Sequence, residues 1–182
     1  MTKIKSILIL FCCLIISIQN LNAANLEDLK TLKPLSENKN TALDLSGADL
    51  RSYDLQGMDF RGANLRGANF SGMLLEKINL DNAFLEGADF SNAKIKKASF
   101  RNADLRGANF EGAVIRNTGF IESRAEKASF ANTIIESSNF ERANLREANF
   151  NQARLTAVNF KKADWKGASF KDISEERTSW YW

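Results

Sequence analysis

The chain has 182 residues, which is the size of one domain, and its 25 basic and 22 acidic residues give a formal net charge of +3. It contains no histidine and only two cysteines, Cys12 and Cys13, both close to the N-terminus. The rest of the chain therefore lacks the residue types for imidazole or thiolate metal sites and for the usual nucleophile–base pairs. Disulfides are excluded there as well.

Residues 1–23 have the pattern of a secretory signal peptide. Lys3 and Lys5 form a basic start, Ile7–Ile18 is an apolar segment, and Ala23 ends a small-residue cleavage site. The apolar segment is too short for an ordinary membrane span, and retention as an uncleaved anchor is the alternative. We predict cleavage after Ala23, a periplasmic or secreted location, and no membrane span in the mature protein.

Residues 24–42 are predicted to form an N-terminal cap and connector. Asn25 can cap a short helix that runs to Lys33, and Pro34 ends it. An array of repeats exposes apolar side chains and backbone groups at its first unit, so a cover is expected at this place.

From Leu43 to about Ile173 the chain repeats every five residues. A large apolar residue occupies almost every position from Leu45 to Phe170 whose number is a multiple of five, and the position two earlier is usually alanine. Five residues fit neither the turn of a helix nor the two-residue period of a strand. The chain must therefore turn once in each repeat, and the glycines and asparagines two positions after each central residue suit such corners. Four corners of this kind close a coil of roughly twenty residues.

These repeats resemble the pentapeptide-repeat family. The resemblance is carried by runs such as residues 63–67 (Ala-Asn-Leu-Arg-Gly) and 103–107 (Ala-Asp-Leu-Arg-Gly), and it indicates an exported bacterial member. It implies an all-β fold, a right-handed quadrilateral parallel β-helix with four repeats per coil, over residues 43–173. Residues 174–182 are then a C-terminal cap. Central residues that are twenty positions apart stack in successive coils. Grouped in this way, the phenylalanines form two opposed columns, which we interpret as core.

One coil departs from the pattern between Thr118 and Ala125. Ala125 is the only small central residue, and Ile121 stands where polar residues are usual. The register of five survives, so no residue is inserted. We expect either that Ile121 folds inward to fill the space or that the coil is dented.

The residue after each central residue points outward, and these residues stack every twenty positions. One column reads Arg66, Glu86, Arg106, Glu126 and Arg146. Opposite charges in adjacent coils avoid repulsion, although each exposed pair contributes only about 0–1 kcal/mol. We expect ladders of ion pairs and no polyanionic surface.

At the outward position directly before a central residue, four repeats hold a large apolar residue where polar residues are usual. Leu74, Val114 and Ile134 belong to one side of the coil, and Phe84 belongs to another. Val114 and Ile134 are predicted to be neighbours in adjacent coils. Adjacent exposed apolar residues are typical of a contact site, so we predict a partner-contact surface there, with ordinary surface variation as the alternative.

The chain ends in three aromatic residues, Trp180, Tyr181 and Trp182. They can lie over the last coil as a cover. The resemblance implies a second interpretation, a homodimer contact, because end-to-end association through C-terminal elements occurs in that family.

Together these patterns predict a non-enzymatic scaffold for protein–protein interaction, with an unidentified protein partner and with no catalytic, cofactor or metal site. Removal of Lys3 and Lys5 leaves 23 basic residues against 22 acidic ones, a net charge of +1, so no nucleic-acid partner is expected. The alternative implied by the family is a DNA mimic that acts on a topoisomerase in the cytoplasm, and it requires a strongly acidic rod. An enzymatic interpretation would require a conserved polar cluster, which one sequence does not reveal.

Overall fold

The computed structural model describes residues 43–180. The predicted signal peptide, the predicted cap helix, Tyr181 and Trp182 lie outside the described residues. Within residues 43–180 the regular elements are all strands. The part of the chain that the structure describes contains no helix long and apolar enough to cross a bilayer.

Six three-residue strands form one parallel sheet along one side of the molecule. Their order in the sheet is their order in the chain, and register partners are twenty residues apart, as Leu75 and Ile95 are. The strands are β1 Leu74–Glu76, β2 Lys94–Lys96, β3 Val114–Arg116, β4 Ile134–Glu136, β5 Arg154–Thr156 and β6 Ser174–Glu176.

The other three sides are held by single parallel bridges with the same offset. Examples, one from each side, are Asn69 with Asp89, Ser99 with Gly119, and Asp104 with Arg124. Each coil therefore has four sides and uses four five-residue repeats. The predicted parallel β-solenoid is confirmed.

A tight turn closes each repeat. In one repeat the amide of Ala88 donates to the carbonyl of Leu85, and Gly87 between them has a φ of 66°. Asparagine takes the same left-handed conformation at Asn82, with a φ of 58°. In many repeats an aspartate or asparagine precedes the central residue, and its side chain accepts a hydrogen bond from the amide two residues on, as in Ser91 N to Asp89 Oδ1 at 2.9 Å.

The central residues and the alanines two positions earlier form one continuous core. Two phenylalanine columns run through it, as expected. Within a column the rings stack, with the centroids of Phe70 and Phe90 4.6 Å apart, and between columns Phe90 meets Phe100 edge-on at 5.6 Å. A fully buried phenylalanine contributes about 1.5–3 kcal/mol through burial, and each ring pair adds about 0.5–1.5 kcal/mol.

The coil around Ala125 keeps its regular shape. The amide of Ala125 donates to the carbonyl of Asn144 at 2.7 Å, a length like those of the neighbouring coils. Ile121 stays at its corner, half-buried and outside the core cluster. Neither the predicted dent nor the predicted inward isoleucine is seen. Ser123 takes the inward alanine position instead, and its buried hydroxyl oxygen has no hydrogen-bond partner within residues 43–180.

The solenoid continues past residue 173, the boundary that we expected from the fading pattern. The strand β6 pairs with β5, and the amide of Ala157 donates to the carbonyl of Glu176 at 2.7 Å. Glu175 stands exposed at the central position of this half coil. Backbone hydrogen bonds extend the ladder there without an apolar central residue.

Candidate partner-contact surface

The outward side of the β1–β6 sheet carries the apolar residues that the sequence singled out. Val114 and Ile134 are register partners in β3 and β4, and both are half-buried. Leu74, in β1, is 50% exposed and is separated from Val114 by Lys94 in β2. The column along the solenoid axis therefore reads leucine, lysine, valine, isoleucine, so the predicted pair is contiguous and Leu74 stands one strand away from it.

We call the outward residues Leu74, Val114 and Ile134 the apolar strip. Phe84 does not belong to it. It bridges Asn64 and Asp104 on a different side of the coil, and it is 41% exposed. The guanidinium carbon of Arg66 lies 4.6 Å from the centroid of its ring. This cation–π contact, worth about 0.5–1 kcal/mol at an exposed site, gives Phe84 a partner within its own chain.

Charge is unevenly distributed around the coil. We define the sheet face as the outward residues of β1–β5 and the corner residue after each strand. Its charged members are six basic and two acidic residues, a net charge of +4: Lys77, Lys94, Lys96, Lys97, Arg116 and Arg154, against Glu76 and Glu136. All six basic residues are exposed.

The opposite face is nearly balanced. Its equivalent positions hold five basic and four acidic residues, a net charge of +1: Arg66, Arg106, Arg124, Lys127 and Arg146, against Glu86, Asp104, Glu126 and Glu147. The predicted ladder is present there, since Glu86 lies 3.7 Å from Arg66 and 3.3 Å from Arg106. The sheet face is therefore the more basic of these two faces, with a net charge of +4 against +1.

Both acidic residues of the sheet face are already in ion pairs. Glu136 accepts from Arg116 Nε at 2.7 Å, and Glu76 lies 3.8 Å from Lys96. The hydrogen bond from Arg116 lowers the pKa of Glu136, with a smaller attraction from Arg154. Among the described residues, no carboxylate lies within salt-bridge distance of Lys77, Lys94 or Lys97.

Asp104 is the most enclosed carboxylate of the opposite face. Its side chain is 10% exposed and binds Arg106 through both oxygens at 2.7 Å. Burial raises the pKa of Asp104, but the hydrogen bonds from Arg106 and the charge of Arg124 outweigh burial and leave it below its usual value. The Asp104 carboxylate is therefore ionised near neutral pH and is held in ion pairs within its own face.

The C-terminal end of the solenoid is covered by Trp180. Its ring stacks on Phe160 with centroids 4.6 Å apart, and it meets Phe170 edge-on at 5.2 Å. Its indole N–H donates to Glu175 Oε2 at 2.6 Å. Trp180 therefore lies over the last coil, while Tyr181 and Trp182 lie outside the described residues.

The described residues contain no group of three or more histidine, cysteine, aspartate or glutamate side chains that is placed to hold a metal ion. Sequence reasoning identified the apolar strip. The sequence reasoning missed the basic character of the sheet face because it did not assign the corner lysines to a side of the coil. Grouping residues that are twenty positions apart would have placed these lysines on one side.

A family model described as pentapeptide repeats matches the chain with eight copies, over residues 44–82, 74–112, 93–131 and 126–161. No curated protein sequence matches significantly. Among solved structures, a pentapeptide repeat protein from the cyanobacterium Cyanothece 51142 is similar, with 21% identity, 67% of this chain and 90% of that chain covered, and a TM-score of 0.46. QnrB1, a plasmid-mediated fluoroquinolone resistance protein, is similar with 21% identity, 74% and 70% coverage, and a TM-score of 0.47. At this identity neither structure carries information about a partner.

Proposed function

The chain belongs to the pentapeptide-repeat family, and we propose that it is a non-enzymatic scaffold that binds a protein partner through the sheet face. Proteins with these repeats generally serve as structural or interaction scaffolds. One observation carries the choice of surface: Val114 and Ile134 are register neighbours at outward positions where the repeat normally places polar residues. Adjacent apolar side chains of this kind are typical of contact surfaces.

Rigidity supports this function. Every central position from Leu45 to Phe160 is buried, and every coil is bonded to the next by backbone hydrogen bonds. Such a frame keeps outward side chains at fixed spacing, so a partner meets a preorganised surface and little conformational entropy is lost on binding.

The charge pattern favours a scaffold over the topoisomerase-directed DNA mimic. A mimic of duplex DNA requires dense negative charge along its sides. Here the opposite face alternates in sign and the sheet face is basic. These two faces therefore do not carry the dense negative charge that a DNA mimic requires.

The proposed site of action is the periplasm or the exterior of the cell, because the N-terminal pattern is that of a signal peptide. Fractionation of the tagged protein and mass analysis of its N-terminus test this part. A chain that begins near Ala24 outside the cytoplasm supports it, and a cytoplasmic chain that retains Met1 refutes it. The homodimer through Trp180, Tyr181 and Trp182 stays a separate prediction.

The contact surface is tested by the double substitution Val114→Asp/Ile134→Asp in a tagged chain expressed in its own cells. We expect loss of partner capture with an unchanged circular dichroism spectrum, since both side chains point out of the coil. The matched control is Ser129→Asp/Asn149→Asp, which places two aspartates at the same repeat position of neighbouring coils on another side. Equal capture by both double variants would refute the sheet face as the contact surface.

A further inference from the structure

We propose that the sheet face binds an acidic amphipathic helix, that is, a helix with an apolar stripe flanked by carboxylates. This inference rests on the proposed function and names the chemistry of the partner. It follows from three features of the face: its surplus positive charge, the position of that charge beside the apolar strip, and the absence of a free backbone edge in its middle.

The surplus charge breaks the alternation that the rest of the surface keeps. On the opposite face successive coils alternate in sign, so each charge has a neighbour of opposite sign. On the sheet face Lys77 and Lys97 occupy the same corner of adjacent coils, joined through the amide of Lys77 and the carbonyl of Lys96. Like charges at this spacing repel. A carboxylate of a partner placed between them would remove the repulsion.

Basic residues interrupt and end the column of Leu74, Val114 and Ile134 along the solenoid axis. Lys94 stands in register between Leu74 and Val114, and Arg154 stands next to Ile134 at the other end. Lys97, at the corner after β2, lies to one side of this column and is exposed. A partner that covers the apolar residues must therefore also meet positive charge, and this is complementary to an apolar stripe with acidic neighbours.

The backbone restricts how a partner can bind. The strands β2, β3, β4 and β5 are each paired on both sides, so the middle of this face offers no free edge for an added strand. Contact there is made through side chains alone. The strip runs along the solenoid axis with a repeat of about 4.8 Å, close to the 5–6 Å between residues one turn apart on a helix surface. A helix parallel to the axis can thus place successive turns on successive coils.

The same surface fits other anionic partners less well. A nucleic acid would bring phosphates onto Val114 and Ile134, which cannot hydrogen-bond to them. Insertion into a bilayer would take the charges of Lys94 and Arg154, which stand in register with Val114 and Ile134, out of water. Duplex DNA and anionic vesicles therefore serve as the competing probes.

The test is selection from a display library of helical peptides that share one apolar stripe and have random flanking positions. The target is the full mature chain. We expect selected peptides to be enriched in aspartate and glutamate at the flanks. We also expect them to bind Lys94→Glu/Lys97→Glu at least about tenfold more weakly than the unaltered chain. The matched control, Arg124→Glu/Lys127→Glu, reverses the same two repeat positions on the opposite face and should bind normally.

The possible outcomes separate this inference from the proposed function. The inference is overturned if the selected peptides are not enriched in aspartate and glutamate at their flanking positions. It is also overturned if they bind Lys94→Glu/Lys97→Glu as tightly as the unaltered chain. Lysine-dependent binding to duplex DNA, or to vesicles of phosphatidylcholine and phosphatidylglycerol, in place of peptide would overturn it too. If Val114→Asp/Ile134→Asp abolishes partner capture in cells while the lysine reversals leave it intact, the proposed function stands and only the acidic partner is wrong.

Discussion

Two glycine-to-alanine substitutions that look alike in the sequence are expected to change stability in opposite directions. Gly107 lies at a corner with a φ of 63°, whereas Gly119 lies at the bridge position before a central residue and has no left-handed backbone. A Cβ atom at either position meets no atom within 4 Å. Steric contact is thus equal, and only the backbone conformation differs.

The magnitudes follow from that conformation. A non-glycine residue in the left-handed region costs about 1–2 kcal/mol, while alanine reduces the entropy of the unfolded chain and stabilises by about 0.4–1 kcal/mol where its backbone is unstrained. Gly107→Ala should therefore destabilise by about 1 kcal/mol, and Gly119→Ala should stabilise by about 0.5 kcal/mol.

Urea denaturation monitored by circular dichroism measures both changes as shifts of the midpoint at constant slope. If both variants shift in the same direction by the same amount, corner conformation does not control the stability of the coil. The non-glycine corners give a second check, because Ala157, with a φ of 53°, should gain stability when replaced by glycine.

Three further predictions concern the core, the end and the ion pairs. Phe110→Ala removes a ring stacked between two others and should lower the free energy of unfolding by about 3–5 kcal/mol in the same urea assay. Trp180→Ala should cost about half as much, because that ring is half-exposed; no loss would contradict its role as a cover. The pKa of Asp104 is lowered in the folded state, so its contribution to stability is present above pH 3.8 and is lost as the pH falls through its folded pKa. Asp104→Asn should flatten the acid limb of a stability–pH curve, and an unchanged limb would show that the pairing with Arg106 contributes nothing.

The sequence alone was enough to predict the coil, and the reason is geometric. A period of five with corners every five residues has one compact solution, so register, side assignment and core residues follow together. The buried residues Phe70 to Phe160 are the residues that the period selects. The continuation of the coil to Ser179 could not be predicted, because the exposed Glu175 holds a central position; backbone hydrogen bonds and the stacking of Trp180 on Phe160 carry the coil past it.

The candidate surface was predicted in part. The pairing of Val114 with Ile134 follows from the period, since residues twenty apart are neighbours. The period does not say how a long side chain folds back on its own surface. The cover of Phe84 by Arg66 and the hydrogen bond from Trp180 to Glu175 depend on rotamers, which only coordinates show.

Site-specific photo-crosslinking in living cells tests the central claim most directly. A photoreactive residue is placed at position 114 on the sheet face or at position 124 on the opposite face. Both positions precede a central residue. We predict that position 114 crosslinks to one partner protein, through a segment rich in aspartate, glutamate and apolar residues, and that position 124 does not. Crosslinking at position 124 alone, or at both positions equally, would contradict the assignment of the sheet face as the surface that this protein uses.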